Sequence, residues 1–239
     1  MDIKYSLTCV SGYWKIKNKH GNKFDNWFKN TLKINCPYIF FGDKETIELI
    51  KKYRGELPTY YIEYNIEDFI TYKYKDNMIT NQRHCPSIEL NLIWNEKIFM
   101  IQQALKLNPF SSEFYMWIDA GICVYRENPP PSISFPNINA LNKLPKDKFI
   151  YSSSNETTYN DNKFQKGKYH LHHHVAGTSY ILHKNIIDSF VELYKEYLNL
   201  IEKNDIWTDQ VILTHLYRDN KSLFYKYSND YGSIVSNLF

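Results

Sequence analysis

The sequence has no long apolar run and no block of charge of one sign. No stretch approaches the ~18 consecutive apolar residues typical of a membrane-spanning helix. The N-terminal residues also lack the basic segment and apolar run of a signal peptide. The net charge is +3, with acidic and basic residues interspersed, so no nucleic-acid partner is indicated. We therefore expect a cytoplasmic protein with no transmembrane segment.

Cysteine is scarce, and its spacing argues against the common metal and redox motifs. The four cysteines lie far apart in the chain, and none forms a CxxC pair. Three of them lie in or beside apolar segments, where a thiol behaves as a small buried hydrophobic group. We predict free thiols in a reducing compartment.

Three common catalytic signatures are missing as well. No GxGxxG follows the first predicted strand, and no P-loop sequence occurs, so neither a Rossmann dehydrogenase nor a Walker-type NTPase is supported. The GxSxG nucleophile elbow of α/β-hydrolases is also absent. Function must therefore be sought in less common arrangements of side chains.

The length and the order of the predicted elements indicate one α/β domain over residues 1–239. The composition, 43% hydrophobic and 23% charged, is ordinary for a soluble globular protein. The N-terminal third alternates strand, helix, strand, helix and strand, which is typical of a mostly parallel sheet flanked by helices. These elements are predicted at Lys4–Val10, Phe24–Leu32, Pro37–Phe41, Lys44–Tyr53 and Thr59–Ile62.

The remaining two thirds predict further helices and strands around a proline-rich loop. The loop covers Glu127–Asn142, because four prolines exclude a regular element there. Helices are predicted at Ile88–Leu107, Ile186–Ile201 and Thr208–Tyr217. Strands are predicted at Phe114–Ile118, Lys148–Ser153 and Leu223–Tyr227, with a strand–turn–strand around Gly177 within His172–His183.

Asp119 ends the apolar strand Phe114–Ile118 and is a candidate ligand-binding carboxylate. An unpaired carboxylate is costly to bury, so we expect Asp119 to meet a polar partner at the end of the strand. Ala120 and Gly121 follow it and would let a ligand approach the backbone closely. The alternative is an Asp that only caps the next loop.

A histidine cluster, HLHHHVAG, is the second candidate site. In a strand His170, His172 and His174 would share one face. Such a face can hold Zn²⁺, which makes a zinc-dependent hydrolase an alternative function. No second cluster of ligands stands nearby in sequence, so the residues could equally be polar loop histidines lining a cleft.

Other charged residues have both a structural and a functional interpretation. Asp209, in the motif WTDQ, lies near a predicted helix N-terminus, where an Asp is favoured by capping and by the helix dipole. A catalytic role is the other reading. Four basic residues could each contact a phosphate or simply be solvated: Arg54, Arg83, Lys97 and Arg126.

Several segments occur in the order found in one enzyme class. They are the first strand near Thr8, PYIFFGD with KKYRG, NEKIFMIQQALKLNPFSSEFYMWIDAGI, and the pair HHVAGTSYIL and WTDQVIL. Together they cover most of the chain and resemble glycosyltransferases of the GT-A type, most closely the HtrL/YibB family. The segment ending in WIDAGI is the most specific of these.

The resemblance implies transfer of a sugar from a nucleotide-sugar donor, with a UDP-sugar expected, to a hydroxyl of a glycan or protein acceptor. It places nucleotide binding in about residues 1–125 and acceptor binding in about residues 126–239. It implies Asp119 at the donor ribose and phosphates, and Asp209 at the acceptor or as its base. The other donor-binding residues it implies are Thr8 and Asp43 near the base or ribose, Arg54, Arg83 and Lys97 near the phosphates, and Ala120, Gly121 and Gly177 near the sugar.

One departure from the resemblance concerns the metal. The second Asp of the family's D-x-D motif is Gly121 here. A Mn²⁺ or Mg²⁺ ion could still be held by Asp119 with His174 and His183 as additional ligands. Otherwise Arg and Lys meet the phosphate charge, or the chain is a non-catalytic nucleotide-sugar-binding module.

Overall fold

Seven strands form a single twisted layer in the part of the chain that the structure describes. The computed structural model describes residues 5–18, 20–21, 23–154, 174–203 and 208–239. The sheet order is β3-β2-β1-β4-β6-β5-β7. The strands are β1 Leu7–Tyr13, β2 Tyr38–Gly42, β3 Thr59–Glu63, β4 Phe114–Ile118, β5 Phe149–Ser153, β6 Val175–His183 and β7 Phe224–Asn229.

The sheet is mostly parallel, as the sequence predicts. β1 pairs in parallel with β2 and β4, β2 with β3, and β5 with β7. β6 runs antiparallel to both of its neighbours, β4 and β5. The carboxyl ends of β1 and β4 therefore lie at one edge of the sheet, where the chain after Ile118 meets the middle of β6.

Helices cover both faces of the sheet. They are α1 Lys23–Thr31, α2 Lys44–Arg54, α3 Ile88–Leu107, α4 Ile138–Leu141, α5 Lys184–Tyr197, α6 Asn199–Glu202, α7 Asp209–Asp219 and α8 Ser233–Ser236. None of the helices within the described ranges is long and apolar enough to cross a bilayer.

Strand β4 shows why the chain folds as a layered α/β domain. Its side chains alternate between two hydrophobic cores, with Tyr115 and Trp117 in one and Phe114, Met116 and Ile118 in the other. All five residues are buried. A strand covered on both faces has no polar face, which is why it reads as an unbroken apolar run.

Some predicted elements differ from the structure. β1 ends at Tyr13, not at Val10, so the turn expected at Ser11-Gly12 is part of the strand. Gly177 lies within the continuous strand β6 and not in a turn; residues 172 and 173 of the predicted strand–turn–strand lie outside the described residues. The predicted loop Glu127–Asn142 contains the short helix α4.

A buried carboxylate shapes the wall between β3 and α3. Glu96, in α3, accepts hydrogen bonds from the Tyr64 hydroxyl, the Ile70 amide and both donors of Thr71. The carbonyl of Tyr64 in turn accepts from Trp14 Nε1 at 2.8 Å. This network fixes the 3₁₀ segment after β3 and holds the Trp14 ring at the sheet edge.

Candidate active site

A buried lysine joins the two carboxylates that the sequence singles out. Lys97 Nζ lies 3.0 Å from Asp119 Oδ1 and 3.2 Å from Asp209 Oδ2. It also donates a 2.9 Å hydrogen bond to the carbonyl of Gly177. The structure thus brings together four residues from different parts of the chain: Lys97, Asp119, Gly177 and Asp209. We call them the Lys97 network.

Each member of the Lys97 network is positioned by a regular element. Asp119 directly follows β4, and its amide donates to the Thr178 carbonyl at 2.8 Å. Lys97 projects from the middle of the 20-residue helix α3. Asp209 is the first residue of α7, after the N-cap Thr208, whose side chain accepts from Val211 N. Because the network rests on helices and strands, its geometry is fixed before any ligand arrives.

Burial and charge act in opposite directions on the ionisable groups of the network. Burial lowers the pKa of Lys97, but the charges of Asp119 and Asp209 outweigh it and the pKa is raised above 10.5. Burial raises the pKa of Asp209 to about 6, against the lowering effect of Lys97. The Lys97 ammonium therefore stays protonated while Asp209 titrates just below neutral pH.

The two carboxylates differ in exposure and in hydrogen bonding. The Asp119 side chain is 30% exposed, and its Oδ1 accepts a 2.7 Å hydrogen bond from Trp117 Nε1. The Asp209 side chain is 5% exposed, and its Oδ2 accepts no well-aligned hydrogen bond although Lys97 Nζ is close. Asp119 is thus open to a ligand, and Asp209 keeps an acceptor atom available in a nearly dry environment.

The network forms part of the wall of a cavity of about 510 Å³. That volume suits a ligand of nucleotide size. Ala120, Gly121 and Gln210 line it beside the network. Aromatic rings provide much of the remaining wall: Tyr13, Trp14, Phe24, Trp94, Trp117 and Tyr231.

Gly177 and Gly121 are glycines for reasons of space. A Cβ on Gly177 would lie 2.6 Å from Asp209 Oδ2 and 2.8 Å from Gln210 Cγ, distances that real contacts do not reach. The Gly177 amide donates to Gln210 Oε1 at 3.0 Å, which locks β6 against α7. A Cβ on Gly121 would lie 2.8 Å from the Phe24 ring. A carboxylate at position 121 would therefore displace Phe24 from the cavity wall.

Three residues expected near the donor lie away from the cavity wall. Thr8 is near the amino end of β1, opposite to the cavity, and its hydroxyl pairs with Ser112 Oγ at 2.8 Å. Asp43 is the N-cap of α2 and accepts from Thr46 N. Arg83 is exposed in the segment before α3. None of them is among the residues that line the cavity.

Arg54 is buried in a structural role that the sequence did not predict. Its guanidinium donates hydrogen bonds to the carbonyls of Leu32, Ile34, Cys36 and Pro58 and to Thr59 Oγ1. It also lies 4.3 Å from the centre of the Tyr38 ring. With its donors used in this way, Arg54 has no group to offer a phosphate, so the expected phosphate contact is corrected.

The structure does not bring together the three expected metal ligands. His183 pairs with Phe114 at the start of β4, whereas Asp119 follows the end of that strand. His174 Nε2 lies 2.8 Å from the Tyr151 hydroxyl, and its ring packs on Tyr217. One ion cannot contact both ends of a strand, so the set Asp119, His174 and His183 is corrected. The described residues contain no group of three or more His, Cys, Asp and Glu that could hold a metal by themselves.

The histidine face predicted from sequence lies mostly outside the described residues. His170, His172 and His173 lie outside the described residues. Burial and the charges of Lys226 and Lys221 lower the pKa of His174 to about 4. A neutral imidazole is able to bind a metal, but His174 belongs to no group of three or more potential ligands among the described residues.

Two cavity residues were not singled out from the sequence. Tyr231 follows β7 in a turn whose flanking residues Asp230 and Gly232 have positive φ, at 72° and 78°. The Asn-Asp-Tyr-Gly sequence was a turn signal that could have suggested an ordered loop. His84 lies before α3 and carries no local pattern that would have distinguished it.

The overall fold resembles that of solved enzymes. Mouse xyloside xylosyltransferase 1 superposes with a TM-score of 0.54 at 10% identity, covering 94% of this chain and 85% of that one. The glycosyltransferase GlyE of Streptococcus pneumoniae gives a TM-score of 0.49 at 10% identity, and the matched part is 45% of its length. The chain thus spans less than half of GlyE. At these identities the first likeness shows the fold alone, a GT-A-type Rossmann-like fold, and the second carries no argument.

Sequence comparison gives a family assignment without an activity. No characterised protein sequence matches the chain. A sequence profile described as "bacterial protein of unknown function (HtrL_YibB)" matches residues 60–234, well over half of the molecule. The matched range contains Lys97, Asp119, Gly177 and Asp209. The chain therefore belongs to the HtrL_YibB family.

Proposed function

We propose that the protein transfers a sugar from a nucleotide-sugar donor, with a UDP-sugar expected, to a hydroxyl of a glycan or protein acceptor. The observation that carries this proposal is the Lys97 network, which sets an exposed and a buried carboxylate side by side in the wall of a nucleotide-sized cavity. The cavity lies at the carboxyl edge of parallel strands, where open α/β sheets bind ligands. The xylosyltransferase whose fold is similar is itself named for sugar transfer.

The donor would lie with its ribose and phosphates at Asp119. This carboxylate is the more exposed of the two in the network, and the small residues Ala120 and Gly121 beside it leave room for a ligand at the backbone. Gly177 would lie below the sugar, at a position where an added Cβ would collide with Asp209 and Gln210. Lys97 holds Asp119 in place from behind, because its ammonium is buried and paired.

A divalent ion, Mn²⁺ or Mg²⁺, fits this site through Asp119. Mg²⁺ commonly binds through one or two carboxylates, with phosphate oxygens and water completing its octahedral shell. Asp119 supplies one such carboxylate at the cavity. When bound, the ion would neutralise charge on the diphosphate leaving group.

Asp209 would act as the base for the acceptor. Its pKa of about 6 leaves it mostly ionised at pH 7 yet able to accept a proton. The acceptor hydroxyl gives its proton to Asp209 as its oxygen bonds to the anomeric carbon. The bond from that carbon to the diphosphate breaks, and the nucleoside diphosphate leaves. Lys97 remains protonated, and its charge lowers the free-energy cost of burying the ionised carboxylate of Asp209.

The direct test is release of nucleoside diphosphate from a panel of nucleotide sugars. The wild-type protein would be assayed with sugar and peptide acceptors, with and without Mn²⁺ or Mg²⁺. We expect release from at least one donor, and a loss of about 100-fold or more in Asp209→Asn and Asp119→Asn, as for removal of other catalytic groups. Asp147→Asn is the matched control, since Asp147 is an exposed carboxylate that precedes β5 at the opposite edge of the sheet.

Two results would contradict the proposal in different ways. Absence of nucleotide release and of nucleotide binding, for every donor and metal, would remove the assignment of the cavity as a donor site. Binding without turnover would indicate a non-catalytic nucleotide-sugar-binding module on the same fold.

A further inference from the structure

Arg126 presents a guanidinium to the same cavity as the Lys97 network. It follows the 3₁₀ turn Cys123–Tyr125, and its amide donates to the Cys123 carbonyl at 3.4 Å. Its guanidinium carbon lies over the Trp27 ring, 4.1 Å from the ring centre, in a cation–π contact. Arg126 lines the cavity together with Asp119 and Gly121.

The hydrogen-bonding capacity of Arg126 is incompletely used. Its Nε is buried and has no hydrogen-bond partner among the described residues. No carboxylate of the described ranges lies within ion-pairing distance of its guanidinium. Such a donor is costly to bury without a partner, so the site is suited to a ligand that supplies acceptors.

Among the described lysines and arginines, only Lys97 lines the cavity besides Arg126. The Lys97 ammonium is committed to two carboxylates and a carbonyl. Arg54 is committed to backbone carbonyls away from the cavity. Arg218 pairs with Asp219 on α7, and Arg83 does not line the cavity. Among the described lysines and arginines of the cavity wall, Arg126 is therefore the one that is not paired with a carboxylate and can meet a polyanionic ligand.

The shape of the group also suits a phosphate. A guanidinium offers planar, paired N–H donors that match two phosphate oxygens. The Trp27 ring shields one side of the guanidinium, and the Nε donor of Arg126 has no partner among the described residues. Gly121 stands two residues after Asp119, so this position offers no second carboxylate to a metal ion. Arg126 lines the same cavity and can supply positive charge to the phosphate.

We infer that Arg126, stacked on Trp27, binds the diphosphate group of the ligand. The inference rests on the proposed function, because it assigns the phosphate end of the same cavity. Trp27 is a positioning residue, because it contacts the guanidinium of Arg126 and not the ligand itself. The ligand chemistry is a pyrophosphate group, either free or as part of a nucleoside diphosphate.

Calorimetric titration in EDTA, with no divalent metal, tests this assignment. The probes are inorganic pyrophosphate, UDP and uridine. We expect Arg126→Ala to weaken binding of pyrophosphate and UDP about tenfold or more, as loss of a charge-assisted hydrogen bond would. Arg126→Lys should recover only part of the loss, because it keeps the charge without the paired donors. Binding of uridine should not change with either variant.

Matched variants keep the outcome interpretable. Arg218→Ala removes an arginine that lies outside the cavity and should leave all three affinities within about twofold, as expected for independent sites. Trp27→Leu should weaken pyrophosphate binding less than Arg126→Ala. Thermal melts establish that each variant is folded before titration.

Two outcomes would overturn the inference and can be told apart. If wild type binds UDP, or releases nucleotide from a sugar donor, and Arg126→Ala binds UDP and pyrophosphate equally well, the role of Arg126 is wrong while the proposed function stands. If wild type binds neither UDP nor pyrophosphate, with or without metal, both the inference and the proposed function are contradicted.

Discussion

Arg54 and Lys97 are two buried cations in helices that flank the same sheet, and they have different roles. Both are nearly inaccessible, at 2% and 3% exposure. Arg54 is surrounded by neutral acceptors, chiefly backbone carbonyls that bring α2 against the loop before β2. Lys97 is surrounded by carboxylates at a cavity. From sequence alone, both residues have the same interpretation, a possible phosphate contact.

The difference lies in what each cation's partners can do. The carbonyls around Arg54 have fixed positions and no change of charge, so the arrangement can only stabilise the fold. The carboxylates around Lys97 carry charge, and one of them is open to a ligand. A buried cation therefore indicates a functional site when its partners are ionisable and face a cavity. The variants below separate these two roles, beginning with the largest expected effect.

Arg54→Met should cause the largest loss of stability. The variant leaves four carbonyls and the Thr59 hydroxyl without the donor they share in the buried interior. We expect a loss of about 4 kcal/mol in the free energy of unfolding, since each buried acceptor left unpaired costs roughly 1–3 kcal/mol. Urea denaturation measures this loss. Where the variant remains folded, UDP affinity should match that of wild type, and a selective loss of UDP binding would place Arg54 in the site.

Lys97→Met should reduce both stability and activity. The two carboxylates would then face each other without a cation, and we expect a loss of about 3 kcal/mol, near the lower end for a broken buried pair. Turnover should fall with it because Asp209 becomes protonated at neutral pH. The double variant Lys97→Met/Asp209→Asn removes one of the stranded charges and should recover stability without activity. If Lys97→Met were as stable and active as wild type, the network would have no role.

The pH profile of turnover should follow Asp209. A base is active when ionised, so kcat should fall as the pH drops through the pKa of about 6. Stability moves the opposite way: because the folded-state pKa is raised above 3.8, the folded protein holds this proton more tightly. The contribution of Asp209 to stability therefore declines from about pH 4 to about pH 6. An acid limb that persists in residual turnover of Asp209→Asn would assign it to another group.

Gly177→Ala should have the smallest effect of the four. The added Cβ would lie 2.6 Å from Asp209 Oδ2, closer than real Cβ atoms come, so Asp209, α7 or β6 must shift. Overpacking of this kind costs typically about 1–3 kcal/mol. We expect turnover to fall more than stability, because the shift separates Asp209 from Lys97. Ser189→Ala, on the exposed side of α5, is the control for handling and expression. Unchanged turnover in Gly177→Ala would show that the close packing is not required.

The elements that periodicity dictates were predicted well. The bounds of α3 and β4 agree with the prediction, because an uninterrupted helical pattern and a short apolar run are strong local signals. The mostly parallel sheet also follows from the order of elements, and it is confirmed. The antiparallel direction of β6 could not be predicted in the same way, because it depends on pairing with β4 and β5 and no local sequence pattern encodes that pairing.

The site was predicted in part. Asp119, Gly177 and Asp209 do lie together: Asp119 directly follows β4, Gly177 lies within β6, and Asp209 is the first residue of α7. Thr8 was misplaced because β1 runs three residues further than expected, to Tyr13, which puts the cavity beyond it. Lys97 lies between Asp119 and Asp209 because of the way α3 packs across the sheet. The sequence therefore identified Lys97 as a candidate cation but could not predict which carboxylates it contacts.

A crystal structure with a nucleoside diphosphate bound tests the central claim most directly. The claim is that the cavity containing the Lys97 network is the donor site. We predict a nucleotide whose diphosphate lies at Asp119 and Arg126, with Lys97 still between Asp119 and Asp209. A nucleotide bound elsewhere, for example in the cavity of about 410 Å³ beside Tyr197 and Arg218, would contradict it.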